Sequence, residues 1–228
     1  MDDTHASQEP ELCFPTGDCL VYLREPGQSS RGPAFRVHTS QLIARGFTSL
    51  VDRCIIPPPL HASSKCHLAS CPGCDRRSTP CELYLPAPPL ADLEATIDHH
   101  TTTRNLFAWL YNRPLAGRAL GLSLVALKER IESYRPTDVT QTKLEVLAYA
   151  ESQRYLDFRE CIDHALAALL LAEHVAVEDM WVDAFAHCVG LSHRGLQTSI
   201  EYAVSCSPCP GTYTTNLHTR HLVLRRRF

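Results

Sequence analysis

The order of elements along the chain predicts an α+β fold, in which helices cluster against a short sheet. Three short segments have the composition of strands, and one helical segment separates the second from the third. Beyond these, up to about residue 189, apolar residues recur at helical spacing. Strands followed by a run of helices, rather than a regular alternation of the two, are typical of the α+β class.

The three strands are predicted at residues 19–23, 34–38 and 81–85. The first, CLVYL, is a short apolar run after Gly17-Asp18 and reads as a buried strand. The other two alternate apolar with polar residues, which is the pattern of a strand with one buried face. Several prolines follow the third strand and are expected to end it, because proline lacks the amide hydrogen that a sheet uses.

The helices are predicted from apolar residues three and four positions apart. The first begins at Thr39-Ser40, which are capping residue types, and runs to about Cys54, before a run of three prolines. Gly46 lies inside it, although glycine is a poor helix former. Further helices are predicted at residues 103–111, 120–134, 142–155, 159–175 and 177–189. The last of them extend the core or form a small bundle, and the sequence leaves both arrangements open.

Charge and hydropathy exclude several functional classes. The 228 residues carry a net charge of -3, so no overall positive field attracts the chain to nucleic acid or to acidic membranes. The longest strongly apolar run, residues 165–172, is far shorter than the roughly 20 residues of a membrane-spanning helix. Residues 1–12 are polar and acidic and lack the apolar core of a secretory signal. We therefore expect a soluble intracellular protein, in the cytoplasm or the nucleus.

Two parts of the chain carry motifs of a known family. The first comprises DCLVY at residues 18–22 and FRVH at residues 35–38, followed by Leu42 and Phe47. It resembles the opening of BTB/POZ domains, in which a strand pair leads into F-x-V-H-x-x-x-L and a helix. The second part, FAWLYNRPL at residues 107–115, resembles the family's F-x-x-L-Y-x-G-x-L segment. More narrowly, three stretches look like the fungal BTB-like proteins, namely RGPAFRVH, TTRNLFAWLYNRPLAGRALG and ESQRYLDFRECIDHALAALLLAEH.

The resemblance covers most of residues 17–190, with two departures. Residues 54–81 are longer and richer in cysteine than a compact BTB connection, and Arg113-Pro114 stands where a glycine turn is common. The resemblance implies a BTB fold, self-association or the binding of a partner protein, and no catalytic residues.

On this basis the chain is divided into four segments. They are a flexible N-terminus (1–16), a BTB/POZ-like domain with a cysteine-rich insertion at 55–80 (17–135), a helical extension (136–200) and a flexible C-terminal tail (201–228). We expect a non-catalytic protein–protein interaction module that self-associates, scaffolds a partner protein, or both. Only scattered cysteine and histidine residues favour an enzyme, because no nucleotide-binding glycine loop, serine-nucleophile motif or paired-carboxylate motif is visible.

The cysteine-rich insertion is the strongest candidate for chemistry. Four of the 11 cysteines lie between Cys66 and Cys81, and Cys71-Pro-Gly-Cys74 has the spacing of a zinc knuckle, whose turn brings both sulfurs to one ion. Cys66 or His67, together with Cys81, would complete four ligands. The candidate zinc ligands are therefore Cys66, Cys71, Cys74 and Cys81, and the chain would then be a metal-dependent regulatory protein. The alternative is a mobile loop with free cysteines and no cofactor.

Other conspicuous residues receive structural interpretations. Trp109 and Cys188 are predicted to lie in the core. Asp18 and His38 lie at predicted strand–helix junctions. One interpretation is a charged pair beside a BTB dimer groove, and the other is a local hydrogen bond or helix cap. The sequence leaves both interpretations open. His99-His100 are adjacent in the chain and do not face one another on a helix, so we expect them to flank a helix start rather than to bind a metal.

Overall fold

The computed structural model describes the chain as an α+β protein with a three-stranded sheet and a larger number of helices. This confirms the predicted class. Within the described part of the chain, no helix is both long enough and apolar enough to cross a membrane. The described residues are 10–28, 31–56, 80–192 and 196–206.

The chain divides into two compact units, and each is built from two separate stretches. Unit 1 comprises Met1–Ala116 and Ala126–Tyr149, and unit 2 comprises Gly117–Val125 and Ala150–Phe228. The predicted division between residues 135 and 136 therefore falls inside unit 1.

The sheet of unit 1 has the order β2-β1-β3. β1 spans Cys19–Tyr22, β2 spans Phe35–Val37 and β3 spans Cys81–Tyr84, each within the predicted strand. β1 is antiparallel to β2 and parallel to β3, and the register sets Cys19 directly opposite Cys81. The side chains buried in the core are those of Cys19, Val21, Phe35, Val37 and Leu83.

The predicted first helix is two short helices, α1 (Thr39–Ala44) and α2 (Thr48–Val51). The break is at Gly46, whose φ of 75° lies in the left-handed region that favours glycine. Its amide donates to the carbonyl of Ile43 (3.0 Å), and the next amide donates to the carbonyl of Leu42 (2.9 Å). These two bonds form a Schellman motif, which ends α1 and turns the chain into α2.

The aromatic-rich helix, α3, spans Leu93–Leu110. The prediction that it begins at residue 103, after His99-His100, is wrong. Asp92 caps the true start, because its side chain accepts a hydrogen bond from the amide of Ala95 (2.8 Å). Residues 96–103 are mainly polar or β-branched, so their apolar periodicity is too weak to mark the helix. The next helices are α4 at Leu120–Tyr134, as predicted, and α5 at Val139–Ser152.

Trp109 lies in the core of unit 1, which confirms the prediction. Its side chain is 2% exposed and meets the ring of Phe47 edge-on, with the centroids 6.0 Å apart. The guanidinium groups of Arg45 and Arg135 lie over the indole, 4.9 and 5.7 Å from its centroid. Arg135 also forms an ion pair with Glu145 at 2.6 Å. The aromatic pair is thus enclosed by two cations, one of which has its own carboxylate partner.

Within the segment 1–16, for which a flexible N-terminus is expected, the described residues 10–16 pack on unit 1. Pro10–Leu12 form a 3-10 turn in which Leu12 is fully buried. Phe14 stacks on Tyr111 with ring centroids 4.2 Å apart, and its amide donates to the carbonyl of Arg36 (2.9 Å). Apolar burial and a backbone hydrogen bond therefore fix this segment to unit 1. Residues 1–9 lie outside the described residues.

Unit 2 is helical over its described residues. It contains α6 (Ile162–Val175), α7 (Glu178–Gly190), a 3-10 turn (Leu196–Thr198) and α8 (Ile200–Cys206). Trp181 and Phe185 stack at 5.1 Å against its core. The buried core residues are Ala165, Leu166, Ala168, Leu169, Ala184, Cys188 and Leu196.

The segment from residue 201, for which a flexible tail is expected, begins within α8 over its described residues 201–206. Glu201 is buried on α8, and its carboxylate accepts hydrogen bonds from the amides of Leu120 and Gly121, the latter at 3.1 Å. These amides open α4 and lack partners within their own helix, so the carboxylate caps it from a distance. Burial raises the pKa of Glu201, and the two amide hydrogen bonds oppose the rise. Residues 207–228 lie outside the described residues.

The surroundings of the two adjacent histidines of α3 disfavour the charged form of both rings. Nδ1 of His99 accepts a hydrogen bond from Arg130 (3.1 Å), and Nε2 of His100 lies 3.1 Å from the carbonyl of Leu23. Burial lowers the pKa of both rings below 6.5; the charge of Arg130 adds to this for His99, and that of Arg24 for His100.

We therefore expect the free energy of unfolding to fall as the pH drops below about 6.5. A histidine whose pKa is lowered by folding binds more protons in the unfolded state than in the folded state. Its contribution to the free energy of unfolding is therefore complete above the unfolded pKa, and it is lost as the pH falls from the unfolded pKa to the folded pKa. Urea melts at about pH 7.5 and about pH 5.5 measure this difference. The double change His99→Gln and His100→Gln should reduce it. His164→Gln is the control, because the hydrogen bond from that ring to the Asp157 carbonyl lies at the surface. An equal pH dependence in both variants would contradict the assignment.

Candidate metal centre

Three cysteines from separate parts of unit 1 meet beside the sheet. Cys19 begins β1 and Cys81 begins β3, and the parallel register sets them opposite each other. Cys54 arrives from the chain after α2, where Ile55 forms an antiparallel bridge with Glu82. Two backbone hydrogen bonds of 2.8 Å, one in each direction, fix this bridge. The bridge therefore places Cys54 beside the start of β3.

The sulfur atoms of Cys19, Cys54 and Cys81 all lie within 4.8 Å of one another. Cys19 is fully buried, whereas Cys54 and Cys81 are half-buried. The three thiols are also linked to one another by hydrogen bonds. The cluster thus lies at the edge of the core, with Cys19 as its most buried member.

Hydrogen bonding among the three close thiols shifts the pKa of each, and the Cys54 thiol also donates to the carbonyl of Leu50 (3.5 Å). The bonds from Cys19 and then from Cys54 lower the pKa of Cys81 far below its ordinary value. The bond to Cys54, the bond to Cys81 and burial all raise the pKa of Cys19. For Cys54, the bond with Cys19 lowers the pKa, but the bond with Cys81 and burial outweigh it and raise the pKa to about 11. The three thiols thus lower the pKa of Cys81 and raise the pKa of Cys19 and of Cys54.

The spacing of the sulfurs suits a thiophilic metal ion. A zinc–thiolate bond is about 2.3 Å long, so two sulfurs on one tetrahedral zinc ion lie about 3.8 Å apart. The three sulfurs all lie within 4.8 Å of one another, so the widest pair would need to close by up to about 1 Å to share one ion. Three protein ligands leave the fourth tetrahedral position open, as in zinc sites that keep a water ligand.

Only part of the predicted ligand set lies in the described residues. Cys81 belongs to the cluster, whereas Cys66, Cys71 and Cys74, and the alternative ligand His67, lie outside the described residues. The sequence analysis missed Cys19 and Cys54. Cys19 was indistinguishable from the apolar residues of a buried strand, and Cys54 stood at a helix end. The only available signal was that Cys54 and Cys81 flank the cysteine-rich insertion on either side.

Asp18 and His38 have local structural roles. The carboxylate of Asp18 accepts hydrogen bonds from the amide (2.7 Å) and the hydroxyl (2.6 Å) of Thr39, the first residue of α1. Burial raises the pKa of Asp18, but these hydrogen bonds outweigh it and the pKa lies below its ordinary value. The His38 amide donates to the Tyr111 hydroxyl (2.8 Å), and Nε2 of His38 pairs with the Thr16 hydroxyl (3.0 Å). These contacts join β1, α1 and the end of α3.

Cys188 is a buried core thiol, as predicted. It is 1% exposed within the core of unit 2. Burial raises its pKa to about 12, so it stays protonated near neutral pH and is a poor nucleophile.

Comparison with known proteins gives a single finding. A protein-family model described as a domain of unknown function (DUF8004) matches residues 143–210, which run from within α5 through α8. Neither the curated proteins nor the solved structures include a match to this chain. The matched description states no activity, so function has to be inferred from the residues themselves.

Proposed function

We propose that this chain is a non-catalytic protein–protein interaction module and that unit 1 binds a second copy of itself. The BTB/POZ resemblance supports self-association. The described order of unit 1, in which a strand pair leads into a helix, agrees with the order that the resemblance implies.

One observation carries the proposal: the apolar surface where α3 begins. Leu90, Leu93 and Ile97 are 98%, 77% and 53% exposed. Leu93 and Ile97 are four residues apart on α3 and therefore share a face of the helix. Large apolar side chains that are grouped and exposed are typical of association surfaces, because burying them against a partner releases water from apolar surface. A stable interface covers about 800 Å² on each partner, so these three residues would be its centre rather than its whole extent.

The test is the mass of the protein in solution at micromolar concentration, measured by analytical ultracentrifugation. We expect a dimer for the unaltered chain and a monomer for the double variant Leu93→Glu and Ile97→Glu, because dimerisation would bury four unpaired carboxylates. Both positions are exposed, so the variant should still unfold cooperatively, and any fall in the thermal midpoint should be no larger than the loss of dimerisation accounts for. Val182→Glu, at a position of similar exposure in unit 2, is the matched control and should remain dimeric. A monomeric unaltered chain over the whole concentration range would exclude self-association.

The second candidate function is a metal-dependent regulatory protein. The cluster of Cys19, Cys54 and Cys81 is the observation that favours it. The two functions are compatible, because the cluster and the start of α3 involve different residues.

A further inference from the structure

We propose that Cys19, Cys54 and Cys81 form a binding site for one thiophilic metal ion, and that this ion is zinc. The site differs from the zinc knuckle expected around Cys71 and Cys74, with which it shares only Cys81. It does not depend on self-association.

The convergence of the three side chains requires long-range structure. Cys19 and Cys81 meet only because β1 and β3 pair in parallel in this register, and Cys54 joins them only through the Ile55–Glu82 bridge. Each contact is fixed by backbone hydrogen bonds, so the sulfurs are positioned before any ion arrives. Preorganised ligands lose little conformational entropy on binding, which favours affinity.

The cluster also differs from a thiol that only packs. A buried cysteine such as Cys188 behaves as a small apolar side chain among apolar neighbours. In the cluster, each thiol has two other thiols as neighbours, and Cys54 is a half-buried residue rather than a core one. An ion that enters from the side of Cys54 could keep a fourth, non-protein ligand.

Three sulfur ligands select the type of metal. Thiolates are soft ligands that favour zinc, copper(I) and iron–sulfur clusters over calcium or magnesium. The bound thiols would release their protons to solvent, and the zinc charge would replace those protons in holding the sulfurs together.

A bound ion would join three distant parts of unit 1. Cys54 and Cys81 stand on either side of residues 57–79, so one ion would close that segment at its base and attach both ends to β1. A metal that closes a long loop stabilises the folded state, because the unfolded chain loses the freedom to separate the ends. We therefore expect chelation of the metal to lower the thermal midpoint of unit 1.

The experiment measures metal content by elemental analysis in protein purified under reducing conditions without added metal. We expect about one zinc per chain in the unaltered protein and less than about a tenth in Cys54→Ala, because two protein ligands hold zinc much more weakly than three. Cys54 is half-buried, so this variant is chosen over Cys19→Ala, which alters the core. Cys13→Ala and Cys161→Ala, both at half-buried cysteines, are matched controls and should keep the zinc.

A second arm separates this site from the knuckle. The double variant Cys71→Ala and Cys74→Ala should keep its zinc, and loss of zinc there with retention in Cys54→Ala would overturn the proposal. If the unaltered protein contains copper in place of zinc, and Cys54→Ala is the one variant that loses it, the result would support the site and change only the identity of the ion. Unaltered protein that contains no thiophilic metal and takes up none from a zinc solution would also overturn it.

Cobalt(II) gives a measurement that does not depend on any variant folding. The cobalt form of the unaltered protein should show the near-ultraviolet charge-transfer band of thiolate ligands, with an intensity that matches three sulfurs. The absence of such a band would overturn the proposal.

Discussion

Replacing Trp109 by alanine is expected to lower the free energy of unfolding by about 3–5 kcal/mol, the usual cost of removing a buried aromatic side chain. The indole fills the space between Phe47 and the guanidinium groups of Arg45 and Arg135. Its loss leaves a cavity and removes two cation–π contacts together. Because whole domains are stable by only about 5–15 kcal/mol, the variant should be close to unfolded at ordinary temperature.

Urea melts followed by circular dichroism measure this effect. Trp181→Ala is the matched control, because Trp181 is only half-buried and stacks on Phe185 at the edge of the unit 2 core. Trp181→Ala should lower the free energy of unfolding by clearly less than Trp109→Ala. Equal losses in the two variants would contradict the central position of Trp109.

The second large effect is expected at the ion pair between Arg135 and Glu145. The two side chains are 8% and 16% exposed. The Arg135 guanidinium also donates to the carbonyl of Arg45 (2.8 Å) and to the hydroxyl of Thr142 (3.2 Å), and it lies 5.0 Å from the Phe47 ring centroid. Glu145→Ala would leave this cation buried without its carboxylate. Removing one partner of such a pair costs about 3–5 kcal/mol.

A double-mutant cycle identifies the cause of the loss. The combined variant Arg135→Met and Glu145→Leu should be less destabilised than the sum of the single changes, because it leaves no unpaired charge in the core. The exposed pair Arg154–Asp157 is the control, where Asp157→Ala should cost less than about 1 kcal/mol. Additive losses in the cycle would show that the two charges do not interact.

The local pattern of the sequence was enough to locate most of the elements. The alternation of apolar and polar residues located β2 and β3, and the spacing of apolar residues located α4. The local pattern did not predict the bounds of an element where these depend on a single backbone position or on a distant partner. Gly46 divides the first helix because the chain reverses there through a positive φ, and Asp92 starts α3 well before any apolar periodicity.

The candidate metal centre shows the same limit more sharply. Spacing in the sequence selected Cys71 and Cys74, which are close neighbours in the chain. The thiols that meet within the described residues are Cys19, Cys54 and Cys81, which only strand pairing brings together. Strand register depends on long-range packing, which local periodicity does not encode.

The position of Glu201 late in the chain means that, during synthesis, unit 1 can fold before α4 receives its cap. The α4 amide that Glu201 caps, that of Leu120, lies 81 positions earlier in the chain. All residues of unit 1 have emerged from the ribosome once Tyr149 has, whereas unit 2 combines Gly117–Val125 with residues that follow Tyr149. Nascent chains fold from the N-terminus as units, so unit 1 can close its core while α4 still lacks its cap. A ribosome that stalls before codon 201 would therefore hold a chain whose sheet is complete and whose second helical core is not.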